Sequence, residues 1–142
     1  MSLSRQEKRT WLEHVPLFRG CDADVLDRIA DATGELSFAP GHAIVQQGQV
    51  GNGLYIVVSG QVRIVAGDGE LARLGPGEFF GELSVIDQQP RNATAYADGA
   101  TVCLALASWD LVALLEQDTG LAMNLLRELA GRLRRADAQA QH

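Results

Sequence analysis

The sequence predicts a mostly β protein with flanking helices (α+β), in which an antiparallel β-roll or jelly roll lies between N-terminal helices and two C-terminal helices. Two observations predict this fold. Short strand-like segments alternate with glycine-bearing turns between residues 35 and 107, and helical periodicity precedes and follows that stretch. The expected division is 1–34 for the N-terminal helices, 35–107 for the roll and 108–142 for the C-terminal helices, within one domain of 142 residues.

The composition is that of a globular protein, with 46% hydrophobic residues and a formal net charge of −6. No apolar run approaches the length of a membrane-spanning helix, and the N-terminus is charged where a secretory signal would be apolar. We therefore expect a cytoplasmic protein that does not enter the membrane. The acidic balance argues against direct DNA binding by this chain, because counterion release needs clustered Lys and Arg.

Helical sequence is expected at residues 3 to about 14, ending before Pro16, and again at residues 22 to about 32. Apolar positions in the second segment fall at helical spacing, and Gly34 follows as a terminator. The strand-like segments then come in sequence order at 35–38, 43–46, 54–59, 61–66, 71–74, 93–97 and 101–107. Many short strands separated by glycine turns indicate an antiparallel roll, and Asp68-Gly69 is its clearest tight hairpin.

Two helices are expected after the roll. Ser108 is a suitable N-cap for a helix over residues 109–117, and a longer helix is predicted over residues 119–138. The longer helix carries one apolar stripe, made of Ala122, Leu125, Leu126, Leu129 and Leu133. Two interpretations of this stripe stay open: it packs against the chain's own roll, or it forms a helix-to-helix seam in a homodimer.

The last helix also carries the basic cluster of the chain. We interpret this cluster as a solvated helix face that the helix dipole favours, rather than as a nucleic-acid arm; its members are Arg127, Arg132, Arg134 and Arg135.

The most informative segment runs from Phe80 to Thr94, where Glu82 and Arg91 stand nine residues apart in an otherwise apolar stretch. Gly-Glu-Leu at 81–83, followed by Arg-Asn-Ala-Thr at 91–94 after a run of roll glycines, resembles the phosphate-binding cassette of the cyclic nucleotide-binding domain family. The resemblance covers nearly the whole chain. It implies helices, a β-roll with the cassette at 80–94, and two further helices.

The chemistry of the two charged residues fits a sugar and a phosphate. An ionised Glu82 is acceptor-only and can accept a hydrogen bond from a ribose 2′-hydroxyl, while the planar fork of Arg91 can hold two phosphate oxygens. Backbone N–H groups of a helical turn at 83–86 would complete an anion cradle. The family pattern implies ligand contacts from Gly81, Glu82, Leu83, Ser84, Arg91, Asn92 and Ala93.

The base of the ligand should meet a lid from the last helix, for which the candidates are Arg127, Leu129 and Leu133. Asn92 departs from the residues that relatives commonly carry after the arginine. We expect cAMP rather than cGMP as the ligand. We expect a sensing domain without catalysis that couples binding of a cyclic nucleotide to movement of its C-terminal helices. The effector domain or partner that reads this output is unspecified by the sequence.

Two alternatives stay open. One is a ligandless β-roll that serves dimerisation or docking, with Glu82 and Arg91 as a structural ion pair. The remote alternative is a metal-dependent β-roll enzyme, which would need several convergent histidines. No metal site or cofactor is expected, because His14, His42 and His142 show no metal-ligand spacing with each other or with the cysteines. Cys21 and Cys103 are expected to be reduced thiols, partly or fully buried.

Overall fold

The computed structural model describes residues 2–50, 53–67, 69–81 and 91–140. Its helices are α1 (Arg5–Glu13), α2 (Ala23–Ala32), α3 (Ser108–Gln117) and α4 (Thr119–Ala140), with a 3-10 turn at Pro16–Phe18. Its strands are β1 (Gly34–Phe38), β2 (Ala43–Val45), β3 (Gly53–Ala66), β4 (Gly69–Leu74), β5 (Phe79–Phe80) and β6 (Thr94–Ala107). The predicted antiparallel β-roll between N-terminal and C-terminal helices is confirmed.

The two long strands, β3 and β6, pair along the middle of the sheet. Strands β1 and β2 pair with β6, whereas β4 and β5 pair with β3, and every one of these pairings is antiparallel. The β3–β4 connection follows the predicted hairpin, with Ala66 opposite Gly69. Asp68 of that turn lies outside the described residues.

Each long strand replaces two shorter strands of the sequence-based prediction. Gly60, predicted as part of a turn, lies inside β3 with a φ of +83°. The register between β3 and β6 shifts on both sides of Ser59, so the glycine marks a bulge rather than a chain reversal. A methyl group on Gly60 would overlap the carbonyl oxygen of Ala100, which explains why glycine occupies this position.

The N-terminal helices end and begin near their predicted bounds. Helix α1 begins at Arg5 because Ser4 is its N-cap and forms a reciprocal capping box with Glu7. Helices α1 and α2 are joined by a half-buried ion pair between Arg9 Nη1 and Asp27 Oδ1, 3.3 Å apart.

The start of α3 differs from the prediction. Ser108 is the first helical residue, and Ala107 occupies the N-cap position without a side-chain hydrogen bond. The prediction of Ser108 as the N-cap is therefore wrong, because β6 continues through Ala107 directly into the helix. Helix α4 is capped as a new helix, since the backbone N–H of Leu121 donates to Asp118 Oδ1 at 2.9 Å.

The alternation of side chains along β3 separates two hydrophobic clusters. Leu54 and Ile56 belong to a larger cluster shared with the helices, which we call the helical core. Val57 and Phe80 belong to a smaller cluster inside the roll, which we call the inner core, and Tyr55 packs against it. The inner core is the part of the molecule that borders the cassette, because Phe80 directly precedes Gly81.

The apolar stripe of α4 divides between the two environments. Leu125 is buried in the helical core, whereas Leu126 and Leu133 are 57% and 64% exposed. The interpretation of packing against the chain's own fold therefore applies to one edge of the stripe only. No helix in the described part of the chain is both long enough and apolar enough to span a membrane.

Candidate functional site

Arg91 is fixed at the entrance to β6 by backbone hydrogen bonds with the turn that follows β2. Its N–H donates to the carbonyl of Gln49 at 2.7 Å, and its carbonyl accepts from the N–H of Gly48 at 2.9 Å. Thr94 Oγ1 accepts from the N–H of Gln47 at 2.9 Å, which ties the next residues to the same turn. The backbone of Arg91 is thus held on both sides, so its side chain leaves the chain from a defined point.

The side chain of Arg91 is buried, with 9% of its surface exposed. Its Nη2 donates to the carbonyl oxygen of Gly53 at 3.2 Å. Burial lowers the pKa of Arg91, and the nearby Tyr55 opposes that shift. Among the described residues no carboxylate pairs with this guanidinium, a group that carries five N–H donors.

Gly81 lies against the same guanidinium from the other end of the cassette. Its φ is +99°, and a methyl group on it would lie 2.9 Å from Arg91 Nη1 and 2.7 Å from the carbonyl oxygen of Gly53. Both the backbone conformation and the lack of space require glycine here. Gly81 and Arg91 are ten residues apart in the predicted cassette, and they therefore meet in space.

Asn92 is exposed and Ala93 is half-buried, and both follow Arg91 directly before β6 begins. Their contact with a ligand stays a prediction. The remaining predicted cassette residues lie outside the described residues: Glu82, Leu83 and Ser84.

Two stacked aromatic rings lie next to Gly81 in the sheet. The rings of Tyr55 and Phe80 stack with centroids 5.2 Å apart and an angle of 14° between their planes. Sequence reasoning did not select Tyr55 or the carbonyl of Gly53 as site groups. Strand alternation could have directed Tyr55 to the roll interior, but its pairing with β5 depends on a two-residue strand too short to predict.

The three lid candidates on α4 have different surroundings. Arg127 is exposed and donates from Nη1 to Asn124 Oδ1 at 3.3 Å. Leu129 packs against the helical core, and Leu133 is exposed. Their role as a lid over a base stays a prediction.

A different residue of α4 contacts the strand that leads into Gly81. The Cζ of Arg132 lies 5.1 Å from the centroid of the Phe79 ring. Burial lowers the pKa of Arg132, and the positive charge of Arg135 lowers it further. The prediction of a solvated basic face is therefore wrong for Arg132, which is half-buried, although Arg134 and Arg135 are exposed.

The remaining titratable groups do not form a second site in the described chain. No group of three or more His, Cys, Asp or Glu residues there is arranged to hold a metal ion. Cys21 is half-buried and Cys103 is buried, as predicted, and the two thiols are not bonded to each other. Burial raises the pKa of Cys103 to about 12.

Known proteins share both the sequence and the fold. Residues 35–118, more than half of the chain, match the family model of the Cyclic nucleotide-binding domain. The Cyclic AMP receptor protein of Thermus thermophilus is 39% identical over 129 residues, covering 87% of this chain and 60% of that protein.

Two solved structures carry the same fold. The Catabolite Activator Protein of Thermus thermophilus superposes with a TM-score of 0.81 at 40% identity, covering 89% of this chain and 62% of that chain. The regulatory domain of Toxoplasma gondii PKA, solved with cAMP, gives a TM-score of 0.79 at 29% identity, covering 90% of this chain and 50% of that chain. The chain thus spans less than two thirds of the length of these relatives. Because the β-roll, the meeting of Gly81 with Arg91 and the family match agree, this chain belongs to the cyclic nucleotide-binding domain family.

Proposed function

We propose that residues 1–142 form one domain that senses a cyclic nucleotide, without catalysis of its own. The observation that carries the proposal is the buried guanidinium of Arg91, which has a carbonyl but no carboxylate partner among the described residues and lies beside a glycine with positive φ. A buried cation without an opposite charge beside it is costly, and an anionic ligand would supply that charge. A phosphodiester supplies one negative charge and two oxygens that fit the guanidinium.

The other ligand contacts are proposed from the cassette sequence. Glu82 would accept a hydrogen bond from the ribose 2′-hydroxyl, while backbone N–H groups at Leu83 and Ser84 would face the phosphate. Asn92 and Ala93 would close the site beside Arg91. The names of two relatives, a Cyclic AMP receptor protein and a PKA regulatory domain solved with cAMP, support cAMP as the ligand.

Binding would be coupled to the C-terminal helices. The contact between Arg132 and Phe79 supports this, since it joins α4 to the strand that ends one residue before Gly81. A ligand that contacts the cassette differently in two states would shift the position of α4 by its difference in affinity for them. Regulation of transcription or of a kinase, inside the cytoplasm, is the output that the relatives suggest.

The exposed apolar edge of α4 supports a homodimer. Three side chains on this edge are more than two fifths exposed, namely Met123, Leu126 and Leu133. They lie three and seven residues apart, which is the spacing of one helix face. A second copy would cover this edge through the same face of its own helix.

Titration calorimetry with cAMP, cGMP and 2′-deoxy-cAMP tests the sensing proposal. If cAMP binds, a concentration of 100 times its Kd should raise the free energy of unfolding by about 2.7 kcal/mol. Arg91→Ala should abolish this gain. Arg63→Ala is the matched control, because Arg63 lies over the Tyr96 ring elsewhere in the sheet and should keep the full gain.

The loss of the 2′-hydroxyl should weaken binding if Glu82 holds the ribose. The ligandless alternative would be favoured if none of the three nucleotides binds. An Arg91→Ala protein that keeps the full ligand-induced gain would reject the proposed site while leaving the ligand intact.

A further inference from the structure

Tyr55 points into the part of the roll that holds the candidate site. Its neighbours Leu54 and Ile56 are buried in the helical core, on the opposite face of β3. Tyr55 packs instead against the inner core, and it lies directly opposite Phe80 in the pairing of β3 with β5. The ring is therefore directed by strand alternation towards the start of the cassette.

The ring contacts the groups that hold Arg91. Tyr55 stacks on Phe80, the residue before Gly81. A methyl group on Gly53 would lie 3.8 Å from Cε2 and from Cζ of Tyr55, and Cζ is the carbon that carries the hydroxyl. The carbonyl of Gly53 in turn accepts the hydrogen bond of Arg91 Nη2 at 3.2 Å. The hydroxyl end of the ring thus adjoins the residue that positions the guanidinium.

Tyr55 and Arg91 each affect the pKa of the other. Burial raises the pKa of Tyr55, and the positive charge of Arg91 partly opposes this, so the phenol is neutral at physiological pH. Burial lowers the pKa of Arg91, and Tyr55 opposes that shift. A neutral phenol can both accept and donate a hydrogen bond. It can therefore accept from a cation before ligand binding and donate to an anion afterwards.

Building on the proposed function, we propose that Tyr55 is a positioning residue for the phosphodiester. Its ring holds Phe80 and Gly53 in place behind Arg91, and its hydroxyl supports the buried guanidinium that receives the anion. The supporting groups of a binding site decide its affinity when they fix the orientation of the residue that contacts the ligand.

Tyr55→Phe isolates the hydroxyl, because the ring and its stack on Phe80 are retained. The expected result is that cAMP binds about five-fold more weakly, the loss expected for one hydrogen bond. The midpoint of unfolding without ligand should stay unchanged. Tyr96→Phe is the matched control, since Tyr96 lies beneath a different arginine, Arg63, at 5.5 Å and should bind cAMP with unchanged affinity.

A spectroscopic measurement gives a second readout that a purely structural role would not move. The chain has two tyrosines, so Tyr96→Phe leaves Tyr55 as the sole source of tyrosine absorbance. Addition of cAMP should produce a near-ultraviolet tyrosine difference band in Tyr96→Phe and none in Tyr55→Phe.

The outcomes separate this inference from the proposed function. If the unsubstituted chain binds neither cAMP nor cGMP, both are rejected. If it binds cAMP and Tyr55→Phe binds equally tightly, the inference alone is rejected. Parallel losses of ligand-free stability and affinity in Tyr55→Phe would also reject it, because they would assign Tyr55 a structural role.

Discussion

At the scale of single residues, Arg91 is a buried cation on a backbone that hydrogen bonds hold in place. Its backbone is tied to the turn at Gly48 and Gln49, and its buried guanidinium contacts the carbonyl of Gly53. Burial of a cation is unfavourable unless an opposite charge or several acceptors compensate for it. The phosphodiester proposed above would supply such an opposite charge.

Gly81→Ala should damage the site in two ways. The new methyl group would lie 2.7 Å from the Gly53 carbonyl and 2.9 Å from Arg91 Nη1, and a φ of +99° is strained for alanine. We expect a loss of about 1–3 kcal/mol of stability from the strain, together with loss of cAMP binding from the displaced guanidinium. Urea unfolding and calorimetry measure the two effects.

Gly77→Ala is the matched control, because Gly77 has a φ of +90° but no atom within 4 Å of an added methyl group. It should lose stability through backbone strain and keep its affinity for cAMP. Equal affinities of the two variants would show that crowding at Gly81 does not affect the site.

The buried thiol of Cys103 should make stability depend on pH in the alkaline range. Its pKa is raised from 9.0 to about 12 by burial. Above pH 9.0 the unfolded chain releases the thiol proton while the folded chain keeps it, so this contribution to stability is complete below 9.0 and is lost as pH rises towards 12. Urea unfolding at several pH values should show a shallower alkaline decline for Cys103→Ala.

Cys21→Ala serves as the comparison. Cys21 is half-buried, and its pKa is raised by burial first and by Asp118 and Asp22 next. Its substitution should flatten the alkaline decline less than Cys103→Ala does. An unchanged decline in Cys103→Ala would mean that the buried thiol does not titrate with unfolding.

At the scale of elements, α4 connects two parts of the molecule. Its N-terminal half packs into the helical core through Leu121 and Leu125, whereas Arg132, further along, lies over the Phe79 ring of β5. A helix with one end in a core and the other against a functional segment can transmit a change at that segment. For this, the contact between Arg132 and Phe79 has to be weak enough to break and re-form.

Arg132→Ala should loosen the second contact of α4. The expected loss is about 0.5–2 kcal/mol, which is the range for a cation over an aromatic face, and it should appear as faster amide hydrogen exchange in the last turns of α4. Arg134→Ala is the control, because Arg134 is exposed and two residues away on the same helix. Equal exchange rates in the two variants would contradict a role for Arg132 in holding α4.

At the scale of the whole molecule, charge and apolar surface have separate consequences. The net charge of −6 repels an anionic ligand at long range, so affinity for a phosphodiester has to come from a local cation such as Arg91. The exposed edge of α4 is a surface that water disfavours, and a second copy offers the same surface in return.

Leu126→Gln together with Leu133→Gln should weaken self-association. Burial of each leucine on association stabilises the dimer, so the loss of one leucine should raise the dimer dissociation constant about tenfold or more. Sedimentation or native mass at two protein concentrations measures the change. Leu71→Gln is the control, because Leu71 on β4 is 64% exposed, the same fraction as Leu133. If the unsubstituted chain stays monomeric at both concentrations, the dimer proposal is contradicted.

Much of the architecture was predictable because it depends on local patterns. Glycine turns between short apolar segments predicted the roll, and periodic apolar positions predicted α2 and α4. The prediction failed where pairing overrode the local signal. Gly60 was predicted as part of a turn between two strands but lies within one, because β6 pairs along β3 on both sides of its bulge.

The order of residues alone predicted the roll and its helices through periodicity and turn chemistry, and the resemblance of residues 81–94 to the family cassette selected Arg91 and Gly81 as candidate site residues. Only the tertiary structure decided that Gly81, Gly53 and Arg91 meet, that Tyr55 lies behind them, and that Arg132 contacts Phe79. The physical reason is that these contacts join residues far apart in sequence. They depend on strand register and helix docking, which no local pattern encodes.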